Sequence, residues 1–303
     1  MRIGVSLADP TGPDPLTGLA GQIREAAGDG FSSAWVSNIF GLDALTALAV
    51  AGRDVPGIEL GTAVVPSYPR HPAALAQQAI TASVALGGRL TLGIGLSHKI
   101  VIDGMYGYSF DRPARHMREY LGVLAPLLRG DRVNVTGETV RASIALTVPG
   151  HEGRVPLLLA ALAPAMLKLA AGQADGTVLW MTGPATVRDY VVPALTEAAS
   201  AAGRPDPRVV CILPVCVTDN PDLARTRADR IFSIYGQLPS YRAMLDREGA
   251  AGPADVAMVG DEATVRGQIE GLAGAGVTDY IAADFSRGDD APRTRALLKS
   301  FIR

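Results

Sequence analysis

The chain has little from which to build a metal centre or a covalent framework: two cysteines and four histidines among 303 residues. Cys211 and Cys216 lie five apart in the apolar run Val209 to Val217, so on a strand they point to opposite faces and read as two buried thiols. His71, His98, His116 and His151 show neither the i, i+4 pairing of a helix-borne zinc site nor a cysteine at ligand spacing, so no metal is expected. An excess of either charge is also missing. Twenty-eight Lys and Arg stand against 30 Asp and Glu, a net charge of −2, which argues against the basic patch of a nucleic-acid binder. Long hydrophobic runs are absent too: Val155 to Leu167 is broken by Pro156 and Pro164 and falls short of the roughly 20 residues that cross a bilayer. Met1-Arg2 leads straight into Ile3 to Leu7 and then Asp9-Pro10, which is not the shape of a signal peptide. A reduced, cytoplasmic protein is expected, with a small-molecule substrate and a second copy of the chain (a homodimer) as partners, and with neither nucleic acid nor membrane.

Familiar catalytic loops are missing as well. There is no G-x-S-x-G elbow and no Walker loop, and Gly93-Ile94-Gly95 follows a strand without the third glycine of a dinucleotide fingerprint. What is present is a globular composition, 48% hydrophobic and 19% charged, with 34 Gly and 21 Pro to supply turns. Short apolar runs alternate with stretches of helical period almost end to end. The strands are Ile3 to Leu7, Ala34 to Val36, Ile58 to Val65, Leu90 to Ile94, Pro156 to Ala160, Thr177 to Trp180, Val209 to Val217 and Tyr280 to Ala283. Helices are expected over Leu16 to Asp29, through Leu45 and Leu48, and over His71 to Leu86, Arg112 to Arg129, Ala165 to Ala174 and Ala185 to Ala202. Eight continuously apolar strands separated by helices suit a parallel sheet covered on both faces. An open doubly wound sheet also fits, but the rhythm has no linker or composition shift, which favours a (β/α)8 TIM barrel of α/β class in one domain, 1–303. A hairpin excursion at about 130–150 and a helical insertion at about 220–252 break the rhythm, and insertions of this kind decorate the loop face at which barrels bind ligands.

In a barrel the strand ends converge on one mouth. Small or polar residues replace the apolar runs there: Ser37-Asn38-Ile39-Phe40, Val65-Pro66-Ser67-Tyr68, Gly93 to Lys99, Ala160 to Pro164 and Trp180 to Pro184. The last two place a proline at a helix start after small residues, a geometry that leaves backbone N–H groups facing an anion or serves simply to start the helix. Tyr106, Tyr108, Tyr235 and Tyr241 fall in loops near the mouth and either line a pocket or pack the insertions. Arg70 and His71 read as holding the start of the third helix, and Arg112, Arg115, Arg118 and Glu119 as a solvated helix face.

Leu60 to Pro66 with Arg70-His71-Pro72 and Gln77-Gln78, then Gly87 to Gly95, Leu159 to Pro164, Ala174-Asp175-Gly176 and Val259 to Glu262 together resemble the luciferase-like monooxygenase superfamily. Ser97-His98-Lys99, Trp180 to Pro184 and Tyr235 to Tyr241 are similar to its actinobacterial subgroup dependent on the deazaflavin coenzyme F420. The resemblance implies a barrel whose cofactor lies across the mouth over a bulge in the third strand, with a non-prolyl cis peptide at Thr62-Ala63 or Ala63-Val64. It places cofactor contacts at Asn38, Thr62, Ala63, Val64, Gly95, His98, Ala161, Leu162, Ala163, Trp180, Met181, Thr182 and Gly183, with the phosphate on backbone groups of Leu162, Ala163, Thr182 and Gly183.

The chain departs from the superfamily's dehydrogenases, which carry an Asp-His pair after the second strand and a Glu after the fourth; here those places hold Asn38-Ile39 and His98. Asn38 retains a hydrogen-bonding amide for the ring, and His98, with an ordinary pKa near 6.5, serves as proton donor. The expectation is an oxidoreductase passing a hydride between the deazaflavin C5 and a small organic substrate, with His98 and Asn38 as its catalytic groups. The alternatives are an FMN-dependent monooxygenase of the same fold and a non-catalytic F420-binding protein.

Overall fold

A computed structural model describes the chain from Met1 to Ile302, Asp9 and Glu152 excepted. In chain order the first half runs β1 (Arg2–Ser6), α1 (Pro15–Gly28), β2 (Ser33–Val36), α2 (Ala44–Ala51), β3 (Glu59–Thr62), β4 (Val65–Pro66), α3 (Pro72–Ala85), β5 (Leu90–Gly95), α4 (Lys99–Gly104) and α5 (Pro113–Leu128). A two-stranded hairpin, β6 (Val133–Thr136) and β7 (Arg141–Ile144), follows. The second half runs β8 (Leu157–Leu159), α6 (Pro164–Gln173), β9 (Gly176–Trp180), α7 (Pro184–Thr186), a π-helical turn (Val187–Val191), α8 (Val192–Ala201), β10 (Arg208–Val217), α9 (Pro221–Phe232), α10 (Pro239–Glu248), β11 (Met258–Gly260), α11 (Glu262–Gly274), β12 (Asp279–Asp284) and α12 (Asp290–Lys299).

Sequence chemistry sets the helix starts. Asp14, Asp43 and Asp261 each accept the backbone N–H three residues on, those of Thr17, Thr46 and Thr264, satisfying donors that a first turn leaves orphaned. Proline stands at the first turn of α1, α3, α5 and α6, where its missing N–H costs nothing.

Every main-sheet pairing is parallel, in the order β1-β2-β3-β5-β8-β9-β10-β12, and β12 returns to β1 from Arg2↔Asp279 to Val5↔Ala282. That closure makes a (β/α)8 TIM barrel. β11 lies outside the ring, paired to the far end of β10 from Val215↔Met258. It was not among the expected strands, and neither was the short helix α4. The expected third strand is split into β3 and β4 by a cis peptide at Ala63-Val64. The hairpin hangs on outer helices: the Glu119 carboxylate accepts from Thr139 and Val140, and Arg112 and Arg115 pair with Glu138. Glu119 is therefore an anchor and not part of a solvated face; the hydrogen bonds from Thr139 pull its pKa down to about 2. No described helix is long and apolar enough to cross a membrane.

The barrel interior is a compact cluster of Trp35, Leu158, Val178, Val210, Ile212 and Ile281, separate from the larger core between strands and helices. Trp35 fills its centre because Gly61 yields the space; a Cβ at position 61 would stand 2.3 Å from the indole. Beneath it the N-terminal end is closed by charge. Arg208 forks onto both Asp279 oxygens at 2.7 and 2.9 Å and reaches Glu59 at 2.7 Å, Arg2 joins both acids, and Thr91 donates to Glu59. Arg208 holds both carboxyls below the usual range despite their burial.

Candidate functional site

Above Trp35 the interior layer changes to small side chains. Ala63, Val64, Ala160 and Ala283 pack on the barrel cluster from the mouth side, with Trp180 as the one large member. The Ala63-Val64 bulge sits in this floor. Gly93 admits it: a Cβ there would lie 2.0 Å from the Thr62 carbonyl oxygen, and one at Gly95 would meet Val64 at 2.7 Å. The paired glycines dismissed as an incomplete dinucleotide motif are thus where β5 passes the bulge. Thr62 is fully buried, its hydroxyl donating to Gly93 O at 2.8 Å and accepting Gly93 N–H at 2.9 Å, so its side chain belongs to the scaffold and not to a ligand.

Two strand ends beside the floor carry non-glycine residues in the left-handed region, Ser97 at φ 62° and Met181 at φ 52°. Such positions cost about 1–2 kcal/mol each and gather where a backbone is aimed for function. Met181 points its side chain wholly into the core, which corrects the expectation that it packs on a cofactor. Ala161 and Thr182 are buried likewise, and Thr182 donates its hydroxyl to Trp180 O at 3.2 Å.

The expected anion corner has two halves with different fates. At the start of α6, Ala163 is exposed and extended, and among the described residues the N–H groups of Leu162 and Ala163 donate to no protein acceptor. At the start of α7, Glu248 from the end of α10 has taken the site. Its carboxylate accepts Ala185 N–H at 3.0 Å and Thr186 N–H at 2.6 Å and lies against Gly183. Glu248 thus satisfies the Ala185 and Thr186 donors and sets a resident negative charge at that helix end, while among the described residues the N–H groups of Thr182 and Gly183, like those of Leu162 and Ala163, donate to no protein acceptor. Tyr190 ties the open half to α10, its hydroxyl donating to Leu162 O at 2.9 Å while the Arg247 guanidinium covers its ring at 4.0 Å.

Asn38 is partly spent. Its Oδ1 accepts Ala44 N–H at 3.0 Å, holding the loop before α2 and leaving the amide nitrogen as the uncommitted group. His98 sits at the N-cap position of α4 without capping it, half-buried, its ring 5.5 Å from that of Tyr241. Burial lowers its pKa below 6.5, so the imidazole rests neutral at pH 7, a correction to the expectation of an ordinary histidine.

His71 caps the third helix as expected, accepting Ala73 N–H at 3.3 Å and meeting Arg141 O at 3.1 Å, whereas Arg70 pairs with Asp43, the N-cap of α2. One cluster escaped the sequence reading. Ser67, at the end of β4, lies 3.1 Å from His116 Nε2, and Tyr68 stacks on that imidazole at 4.0 Å with its hydroxyl buried and unpartnered. The signal was available in Ser67-Tyr68 directly after the bulge, but His116 is 49 residues away. Among the described residues no three His, Cys, Asp or Glu gather where they could hold a metal ion. Cys211 and Cys216 are buried free thiols, their pKa values pushed up by burial to about 12 and about 11.

Comparison with known proteins places this geometry in context. The family model described as luciferase-like monooxygenase matches residues 1–279. The 5,10-methylenetetrahydromethanopterin reductase of Methanolobus tindarius is 29% identical over 278 residues, covering 90% of this chain and 83% of that one. The F420-dependent glucose-6-phosphate dehydrogenase of Mycolicibacterium fortuitum is 30% identical over 198 residues, 63% of this chain and 55% of that one. Among solved structures, the coenzyme F420-dependent tetrahydromethanopterin reductase of Methanopyrus kandleri superposes with a TM-score of 0.80 at 23% identity, over 100% of this chain and 99% of that one.

Proposed function

The chain belongs to the luciferase-like monooxygenase family, and on that premise we propose that it is an F420-dependent oxidoreductase transferring a hydride between the deazaflavin and a small organic substrate. The observation that carries the proposal is the mouth floor: Ala63, Val64, Ala160 and Ala283 form a shelf of small side chains beside which the N–H groups of Leu162 and Ala163 stand open. A planar ring lies against such a shelf, and a phosphate takes such donors. Reduced F420 supplies a two-electron hydride when bound; the protein binds, orients and manages the proton.

The uncommitted amide nitrogen of Asn38 meets a ring carbonyl. Leu162 and Ala163 hold the phosphate, with Arg247 on Tyr190 as the nearby cation. Because Glu248 occupies the start of α7, its charge opposes a phosphate on that half, and the Thr182 and Gly183 N–H groups are the weaker donors there. His98 holds the proton delivered to substrate, in competition with the burial that favours its neutral form. The partners that complete this reading are a small-molecule substrate and, in a homodimer, a second copy of the chain, acting in the cytoplasm; light scattering on the purified protein tests the dimer.

The direct experiment is a titration with F420 and, separately, FMN. Tight F420 binding is expected; FMN bound tightly with no F420 binding makes the protein a flavin monooxygenase instead. Ala163→Pro sharpens the result, since Ala163 has φ −78°, close to proline's own, and the change removes its N–H. F420 affinity then falls about 10- to 100-fold, the worth of one hydrogen bond to a charged group.

A further inference from the structure

Six aromatic rings form a continuous arc from the barrel strand ends into the helical insertion. His98 meets Tyr241 at 5.5 Å, Tyr241 meets Tyr235 at 5.3 Å, Tyr235 meets Trp180 at 5.5 Å, Trp180 meets Phe232 at 5.8 Å, and Phe232 meets Phe285 at 5.8 Å. Tyr235 is brought there by the segment between α9 and α10 and Tyr241 by the first turn of α10, so the insertion serves as the wall of the mouth.

Two features of the arc point to a ligand. Trp180 belongs to the mouth floor, yet its indole N–H is buried with no acceptor; Tyr235 lies near it but outside hydrogen-bond geometry. An orphaned buried donor costs about 1–3 kcal/mol and asks for a partner that the free protein does not supply. The arc is also electrically neutral. Burial alone lowers the pKa of His98, and burial raises those of Tyr235 and Tyr241, with no Arg, Lys, Asp or Glu adding to any of the three. The charges on the surrounding elements are engaged elsewhere: Lys99 with Asp103, Arg227 with the Phe285 carbonyl, Glu248 with Ala185 and Thr186, and Asp284 with Ser286. A phosphorylated sugar finds no cation here, whereas a flat carbonyl compound finds ring faces and one N–H.

Resting on the oxidoreductase reading, we propose that the substrate is a neutral, planar, conjugated carbonyl compound that packs beside the Tyr235 and Tyr241 rings with its oxygen accepting the Trp180 indole N–H. A donor aimed at that oxygen also stabilises the negative charge that grows there as a hydride reaches the conjugated carbon.

The test uses 2-cyclohexen-1-one as probe and glucose 6-phosphate as the charged comparison, each titrated calorimetrically into F420-loaded protein. The enone is expected to bind and glucose 6-phosphate not to. Trp180→Phe, which keeps a ring and removes the N–H, should weaken enone binding about 2- to 10-fold and F420 binding by less; Trp180→His, which restores an N–H, should recover part of it. A wild-type readout needs no variant. The chain has two tryptophans and Trp35 is sealed in the barrel, so saturable enone-dependent change in indole emission reports Trp180. The proposal is overturned if glucose 6-phosphate binds in place of the enone, if wild-type emission ignores saturating enone, or if Trp180→Phe weakens F420 and spares the enone, which assigns the N–H to the cofactor. Failure of F420 itself to bind overturns the cofactor reading separately, because enone binding is then measured on the cofactor-free protein.

Discussion

The two ends of the barrel spend their polar groups in opposite ways. At the N-terminal end a depression of about 510 Å3 is lined by Arg2, Glu59, Arg89, Thr91 and Arg208, and there each charge has a partner. Arg208, Arg2, Glu59 and Asp279 satisfy one another, and Arg89 donates to Ile58 O and Gly52 O. At the C-terminal mouth the Trp180 N–H and Tyr68 hydroxyl are buried without partners, backbone N–H groups such as those of Leu162 and Ala163 stand open, and Ser97 and Met181 hold left-handed backbone. A depression in the surface is therefore not by itself a site. What marks a binding end is unsatisfied chemistry, and what marks a structural end is chemistry already consumed.

The largest expected effect breaks the sealed end. Asp279→Ala leaves Arg208 half-buried without its fork, and loss of one partner from such a pair costs about 3–5 kcal/mol. Urea unfolding should show this while F420 binding to the folded fraction is unchanged. The pH dependence has a definite sign. Glu59 and Asp279 are held below their usual values, so their stabilisation is complete above the ordinary carboxylate range near 4 and is lost as pH falls through the depressed values. Asp279→Asn should flatten that acid limb, and a wild type with no acid limb would remove the network from the account.

Next in size is His98. Its loss as proton donor is worth about 100-fold or more in kcat. Burial places its pKa below 6.5, so kcat should be highest in acid and fall as pH rises through that lowered value, and His98→Asn should abolish the dependence along with most of the rate. A rate that instead rises with pH assigns His98 as base.

How far these two ends were legible in the sequence follows from the range of the forces that build them. The eight strands were readable because burial on both faces imposes continuous apolar runs, and burial is a local property of each segment. Gly93 and Gly95 were visible but misread, since a glycine needed for close approach to Thr62 and Val64 looks no different from one needed for a phosphate loop. Glu248 was invisible: it caps a helix 62 residues earlier in the chain, a pairing that no local pattern encodes. Trp180 could be placed at a strand end, but its missing acceptor is a fact of three dimensions.

Glu248 offers a smaller test of the comparison, because it is the one place where the mouth imitates the sealed end. Glu248→Ala removes a remote cap and should cost about 1 kcal/mol in stability. It also uncovers the Ala185 and Thr186 N–H groups and removes a negative charge, so inorganic phosphate should bind about 2- to 5-fold more tightly than to the wild type, the scale of a helix-end charge effect. Unchanged phosphate affinity would mean that the two helix starts do not share an anion.

The smallest effect is the most discriminating. Burial pushes the Tyr68 phenol up to about 12, and its hydroxyl has no partner, so in the free protein that oxygen bears a desolvation cost without a compensating bond. Tyr68→Phe keeps the ring that stacks on His116 at 4.0 Å and on Phe110 at 5.4 Å, and should leave the thermal midpoint unchanged or slightly raised. The same kind of deletion at the other end, Thr91→Val, removes a hydroxyl bonded to Glu59 at 2.7 Å and should lower stability by about 1 kcal/mol. Near-equal losses from the two substitutions would erase the distinction between the ends. A loss confined to Thr91→Val identifies the mouth as the region where the fold retains polar groups that contribute nothing to its own stability.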